Sequence, residues 1–308
     1  MIFTRSDSRY WTGFTLAVIG AILFSAKAIV AKLTYLHGVD ALTVMGFRML
    51  FSLPFFAVVA LQQAWRARIG KLQRLNRKDI LVLLGLGFIG YYLSSYLDFL
   101  GLQYITAGLE RLILFLSPTF VLLISALYLK RRITGGQWVA MGLSYAGVLL
   151  AFIHDLSLEG GNVLLGAGFV LASAVTYAIY LISSGEVLKR IGSTRLVAYA
   201  MCASAVYGVG HFIFEQGWEG LVQPVQVYQL SFVHAVLHTF LPTFMVMWAV
   251  AIIGAPMAAQ LGMIGPVSVL FLAWWLLGEP ITILQSAGTV LVLAGMLVLS
   301  RVRPARQL

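Results

Sequence analysis

Five charged side chains stand inside long apolar runs of this 308-residue chain: Lys27, Arg48, Asp98, Glu110 and Arg111. A charge held in hydrocarbon is costly unless it faces protein or water and finds a partner, so each is a candidate for a substrate path or a proton relay. Lys27 and Arg48 can give a cavity positive charge, balanced by Asp98 and Glu110, and a substrate carboxylate can compete for the two cations. The same groups also suit a fixed ion-pair network that locks neighbouring helices, because a buried pair holds only with both members present. Glu110 and Arg111 are adjacent, point about 100° apart on a helix and cannot face one partner.

Neutral and titratable candidates surround these five. Tyr91, Ser95 and Asp98 recur at i, i+4 and i+7, along one helical face, and a polar stripe on a membrane helix faces the bundle interior. Tyr92 and Tyr96 make a parallel aromatic stripe suited to packing. His211 with Glu215, and His234 with His238, are i, i+4 pairs near the outer side; they suit interfacial polarity or a protonatable relay, and for zinc they lack a third ligand. Glu110, His211 and His238 are the candidates for proton coupling. Gln260 and Trp248 add polarity and a flat wall, while Pro118 and Pro266 each remove a backbone hydrogen bond within a span, as a gate or a static kink. Lys32, at the rim of its span, is expected to snorkel to the headgroups.

The elements that must hold these residues are membrane helices. The chain is 60% hydrophobic and 10% charged, with mean hydropathy +0.92, and so cannot coat a water-facing globule. Crossing the hydrocarbon core takes about 20 apolar residues. Runs of that kind lie near 12–33, 41–61, 79–99, 105–129, 136–153, 163–184, 196–215, 229–252, 256–277 and 282–300. They are continuous, unlike the alternating strands of a barrel. The first is about twice as long as a signal-peptide core and lacks a cleavage site, so it reads as a span.

The net charge of +10 resides in loops. With the N-terminus inside, cytoplasmic segments carry 17 of the 21 Lys and Arg: Arg5 and Arg9, the cluster from Arg66 to Lys78, Lys130 to Arg132, Lys189 to Arg195, and the tail from Arg301. The outer loops hold Asp40, Asp155, Glu159 and Glu219 instead, which places both termini in the cytoplasm. No basic stripe remains for nucleic acid once these loops are removed. Cys202, alone and in an apolar run, forms no intramolecular disulfide and reads as a core filler. In this orientation Lys27, Arg48 and Glu110 lie roughly 7–11 Å inside the outer boundary and can share one layer.

An internal repeat organises the spans. A shift of 148 residues aligns LKRRITGGQ (Leu129 to Gln137) with LGEPITILQ (Leu277 to Gln285), Pro118 with Pro266, Ala107 with Ala255, and Ala146–Gly147 with Ala294–Gly295. Each unit has five spans, and an odd number makes the second unit cross the membrane in the opposite sense. The expected fold is all-α, ten transmembrane helices in two inverted five-helix repeats over 12–153 and 163–300. Inverted repeats of this kind typify alternating-access carriers with a binding site where the halves meet. Small residues at Ala140, Ser144 and Gly147, and at Ala287, Gly288 and Gly295, are expected to pack helices or protomers closely.

The two five-helix units, LILFLSPTFVLLIS and LGMIGPVSVLFLAWW, the LGEPIT turn and the RMLF start of the second span resemble the drug/metabolite transporter superfamily, EamA-like family, over residues 12–300. The resemblance implies a bacterial inner-membrane carrier, often an exporter of amino acids or other small metabolites. The first unit departs from the pattern, with LKRRIT where a glutamate-containing turn is common, and no role is assigned to that turn. Hydrophobic drugs, sugars and nucleosides fit the same scaffold as substrates. The competing class is an intramembrane lipid-modifying enzyme, against which stands the lack of metalloprotease, Gly-x-Gly-Asp and phosphate-loop motifs. The chain is therefore read as no enzyme, with no cofactor and no metal. Its expected partners are a small-molecule substrate, protons in the coupled case, and the lipid bilayer, with the protein a monomer or weak homodimer.

Overall fold

The computed structural model describes residues 8–129, 133–159 and 162–301. Arg5, Lys130, Arg131, Arg132, Arg303 and Arg306, used above to orient the chain, lie outside the described residues. Among the described residues, ten helices are long and apolar enough to cross a membrane: Arg9–Tyr35, Ala41–Arg68, Arg77–Leu102, Ala107–Leu127, Gly135–Leu156, Val163–Gly185, Ser193–Gln216, Val225–Ile253, Met257–Leu277 and Ile283–Arg301. They are termed the first to tenth spans.

Short polar side chains start several of these helices by accepting from otherwise unpaired N–H groups. Asp40 takes the Thr43 N–H at 2.8 Å, and Asn76 and Asp79 form a reciprocal capping box. The Thr and Gln shared by the two repeats serve the same purpose. Thr134 Oγ1 accepts from the Gln137 N–H and Thr282 Oγ1 from the Gln285 N–H, both at 3.4 Å, at the starts of the fifth and tenth spans. The sequence match thus reports a conserved helix start in both units.

The packing has a pseudo-twofold pattern. The second span packs on the seventh and the fifth on the tenth, each with its own repeat partner; the first packs on the eighth while the third packs on the sixth, which are exchanged by the repeat. Between the second and seventh spans, Thr43 bonds Gln216, Ser204 bonds the Met49 sulfur and Tyr199 bonds the Ala60 carbonyl. Numbers rise on one span as they fall on the other, so repeat-related helices run antiparallel, which is the inversion that five spans per unit require. The fifth and tenth spans do likewise through the small residues singled out above. A Cβ on Gly147 would lie 2.5 Å from the Gly288 carbonyl oxygen, and one on Gly295 would lie 2.6 Å from that of Ala140.

Interruptions of the helices also repeat. The fourth span consists of Ala107–Leu114 and Ser117–Leu129, and the ninth begins as Ala255–Gly262 and continues as Ile264–Leu277. The second pieces carry Pro118 and Pro266 in their first turns, where the missing N–H costs least. The third span contains a π-helical piece at Gly87–Leu93 and the eighth another at Val236–Phe240, positions again related by the shift of 148. Such π segments widen the turn and commonly accompany functional sites. The first span alone breaks without a counterpart: Ser8–Ser25 and Lys27–Tyr35 meet at Ala26, whereas Val163–Ile191 in the second unit is continuous.

Asp155, expected in an outer loop, instead belongs to the helix Gly135–Glu159 and is buried. Its carboxylate has work there, accepting from the Thr106 N–H at 2.7 Å and the Thr106 hydroxyl at 2.8 Å.

Candidate functional site

Three of the intramembrane charges form one cluster. Lys27 opens the second piece of the first span, and its Nζ lies 2.5 Å from Asp98 Oδ2 on the third span and 3.6 Å from Glu110 Oε1 on the fourth. Asp98 and Glu110 are buried, and Asp98 Oδ1 and both Glu110 oxygens accept no hydrogen bond from the described residues. One ammonium therefore serves two carboxylates, an arrangement that a competing cation or a proton can unsettle.

Two guanidinium groups flank this cluster on aromatic faces. Arg48 sits 5.1 Å from the Phe99 ring centroid, and Arg111 lies 5.2 Å from that of Phe115 and 5.8 Å from that of Phe24. Both are buried, and Arg48 Nε and Nη2 and Arg111 Nε donate to no acceptor among the described residues. Cation–π contact offsets part of the desolvation of each, yet leaves planar donors free for an anion. As adjacency on a helix requires, Glu110 turns to Lys27 and Arg111 turns to the rings. The ninth span closes on the same region: a Cβ on Gly265 would lie 2.5 Å from Ser25 Oγ and 3.0 Å from Arg111 Nη2.

Carboxylates from both units hold the start of the fourth span, and thereby Glu110 and Arg111. Beside the Asp155 contacts to Thr106, Glu279 in the turn after the ninth span accepts from the Ala107 N–H, with both oxygens 3.2 Å away. Negative charge at a helix N-terminus is favourable on both hydrogen-bond and dipole grounds. Lys32 also pairs with Glu279, at 3.3 Å. It does not snorkel as expected, because a carboxylate from the other unit reaches its rim position. Burial pushes the Glu279 carboxyl above the usual carboxylate range, with Lys32 and the Ala107 N–H acting against that rise.

The other candidates are distributed elsewhere. Tyr91 turns to the sixth span, its hydroxyl 3.0 Å from that of Tyr180, while Asp98 faces the first, so the stripe expected of a regular helix is split. Tyr91 lies within the π-helical piece Gly87–Leu93, whose wider turn supplies the rotation. Ser95 is half-buried without a hydrogen bond among the described residues; its neighbour Ser94 is buried and bonds Ser173, Oγ to Oγ at 3.1 Å. Trp248, 58% exposed, and Gln260, also exposed, stand apart from the charges.

The histidine pairs differ from each other. His211 accepts or donates at Nδ1 with the Tyr92 hydroxyl at 2.9 Å and, with Asp40 and Glu215, lines an open pocket of about 450 Å³. His234 and His238 are buried rather than interfacial, lying about 14–20 Å along a span that starts at Val225. His238 Nδ1 donates to the Leu23 carbonyl at 2.7 Å. The His234 ring meets Phe99 edge-on at 5.5 Å, and neither of its nitrogens has a hydrogen-bond partner among the described residues. Phe99 thus links Arg48 and His234.

Sequence reasoning gave no role to Glu279, Phe99 or Gly265. Glu279 carried a signal, as an acid in one repeat where the other has Arg131. The remaining two are ordinary apolar-helix residues until their neighbours are known.

The profile of the EamA-like transporter family matches residues 11–153 and again residues 164–301. The chain is 30% identical over 300 residues to YcbK of Bacillus subtilis (strain 168), described as an uncharacterized transporter, with 92% of each chain covered. A probable terminal-alkyne amino-acid exporter of Streptantibioticus cattleyicolor is 27% identical over 109 residues, 35% of each chain. A crystal structure 15% identical in sequence superposes with a TM-score of 0.64 over 94% of this chain and 96% of its own, a likeness of fold.

Proposed function

The chain belongs to the EamA-like transporter family, and we propose that it exports small metabolites such as amino acids across the bacterial inner membrane by alternating access, with both termini in the cytoplasm. The observation that carries the substrate reading is the buried cluster itself. Arg48 offers two unpaired N–H donors, and nearby a single lysine is shared by Asp98 and Glu110. A zwitterion complements both halves. Its carboxylate takes the free Arg48 donors, and its ammonium competes with Lys27 for the two acids. The partial likeness to an amino-acid exporter supports the same class.

Repeat-related breaks in the fourth and ninth spans and π-helical pieces in the third and eighth support the rocking mechanism, since hinges at matched positions let two halves exchange conformations. The contacts of Glu279 with Ala107 and Lys32 close one end, and they part when that end opens. Glu110, within the cluster, is the group assigned to proton exchange; His238 is engaged by the Leu23 carbonyl and His211 serves the separate open pocket.

Liposomes containing the full chain and preloaded with single amino acids or organic acids test this reading, with and without an imposed pH gradient. Efflux of at least one zwitterionic amino acid, faster than that of uncharged solutes and responsive to the gradient, is expected. Efflux restricted to uncharged or hydrophobic solutes overturns the substrate class, and a rate indifferent to the gradient removes proton coupling.

A further inference from the structure

On the face between the third and seventh spans, away from the charge cluster, lies an open apolar groove of about 500 Å³. The two helices touch at Gly87, where a Cβ would come within 2.6 Å of the Ala200 carbonyl oxygen, and diverge beside that contact. Ile80 and Leu84 form one wall and Tyr199, Cys202 and Val206 the other. Tyr207, which also lines the groove, meets the Phe88 ring edge-on at 5.4 Å.

Both walls end in arginine at the same end of the bundle. Arg77, Ile80 and Leu84 are spaced i, i+3 and i+7 and so share a helix face; Arg195, Tyr199, Cys202 and Val206 make the corresponding row on the seventh span. Both spans begin there, at Arg77 and Ser193. From Arg195 to Val206 is about 16 Å of helix, close to the hydrocarbon depth of one leaflet, roughly 15 Å. Arg74, beside the lining residue Leu75, and Arg77, at the start of the third span, are exposed. Arg195 is buried, donates from Nη1 to the Gln73 carbonyl at 2.8 Å, and leaves Nε without an acceptor among the described residues. The nearby acid, Asp79, is engaged by Arg190 and so does not neutralise the mouth.

We propose that this groove is a binding site for one anionic phospholipid, its acyl chain lying between Ile80–Leu84 and Tyr199–Val206 and its phosphate held by Arg74, Arg77 and the free N–H of Arg195. An apolar trough one leaflet deep fits a single chain, and the arginines supply the fork-shaped donors that a phosphate, and not a neutral neighbour, rewards. Any lipid can wet an apolar trough; the charged mouth is what makes the site selective.

Cys202, the chain's single cysteine, lines the groove and reports its occupancy without engineering. The protein in detergent is reacted with N-phenylmaleimide in the presence of phosphatidylglycerol or of phosphatidylcholine with the same acyl chains. Phosphatidylglycerol is expected to slow labelling at least about fivefold at concentrations where phosphatidylcholine has little effect, the discrimination expected of a phosphate-binding arginine mouth. The Arg74→Gln/Arg77→Gln variant, altered only at exposed positions, is expected to lose the difference. Equal protection by both lipids, protection by neither, or full discrimination in the double variant overturns the proposal.

Discussion

Glu279 accepts a hydrogen bond from the Ala107 N–H, joining the turn after the ninth span to the first residue of the fourth, 172 positions earlier. The contact crosses the repeat boundary and has no carboxylate counterpart, because the shift of 148 puts Arg131 where Glu279 would be. The fourth span therefore starts on a clasp of two acids, Glu279 and Asp155, and the charge cluster hangs from it.

That clasp carries a pH signature. Glu279 is raised above the ordinary carboxylate value of about 4.3 by burial, so the folded form binds its proton more tightly than the unfolded chain. The sign follows: its contribution is most favourable below about pH 4.3 and is lost as pH rises through the raised folded value. Thermal unfolding of wild type and Glu279→Gln across that window is expected to show the wild type losing stability relative to the variant as pH increases. A difference that is flat, or that grows with pH, contradicts the burial account. Glu279→Ala, which strips Lys32 and the Ala107 N–H of their partner, is expected to cost about 1 kcal/mol at the low-pH end of the window and less as pH rises.

Lys27 is the cation between two buried carboxylates. Lys27→Met is expected to destabilise the protein by roughly 3–5 kcal/mol, since two acids are left without a counter-charge. Lys27→Met combined with Asp98→Asn and Glu110→Gln is expected to recover much of that loss. Unfolding midpoints in one detergent decide it; a triple variant no more stable than the single one means the three groups do not act together.

Transport separates a site from a lock. Arg48→Ala and Glu110→Gln are expected to reduce liposome flux at least about tenfold, about 1.4 kcal/mol, while insertion and yield are retained. Wild-type rates in both variants reduce the cluster to a structural network.

Packing between the fifth and tenth spans rests on backbone contact, with a Cβ on Gly288 lying 2.5 Å from the Gly147 carbonyl oxygen. Gly288→Val is expected to push the pair apart at a cost of about 1–3 kcal/mol, read as a lower unfolding midpoint. An unchanged midpoint means that the spans do not touch there.

What the sequence discloses is what repetition and hydropathy encode. The spans, the shift of 148 and the breaks before Pro118 and Pro266 all follow from runs and matched residues. The break at Ala26 and the π-helical piece at Gly87–Leu93 carry no Pro, so periodicity assumes a regular helix there and aligns Tyr91 with Asp98, whereas the piece in the eighth span is followed by Leu241 and Pro242. Depth was misjudged for His234 for a related reason: the eighth span starts at Val225, and a start set at 229 moves every residue toward the surface. Helix rise alone put Lys27, Arg48 and Glu110 in one layer and charge balance added Asp98, whereas the pairing of Lys27 with both acids and the aromatic seats of Arg48 and Arg111 depend on how the helices pack.

The account rests on two homologous units that cross the membrane in opposite senses. In a Cys202→Ser background, Arg131→Cys and Pro280→Cys place single thiols at matched turns of the two repeats. An impermeant maleimide applied to intact cells is predicted to label Pro280→Cys and to reach Arg131→Cys only after permeabilisation. Labelling of both from the same side would contradict the inverted arrangement and the carrier mechanism built on it.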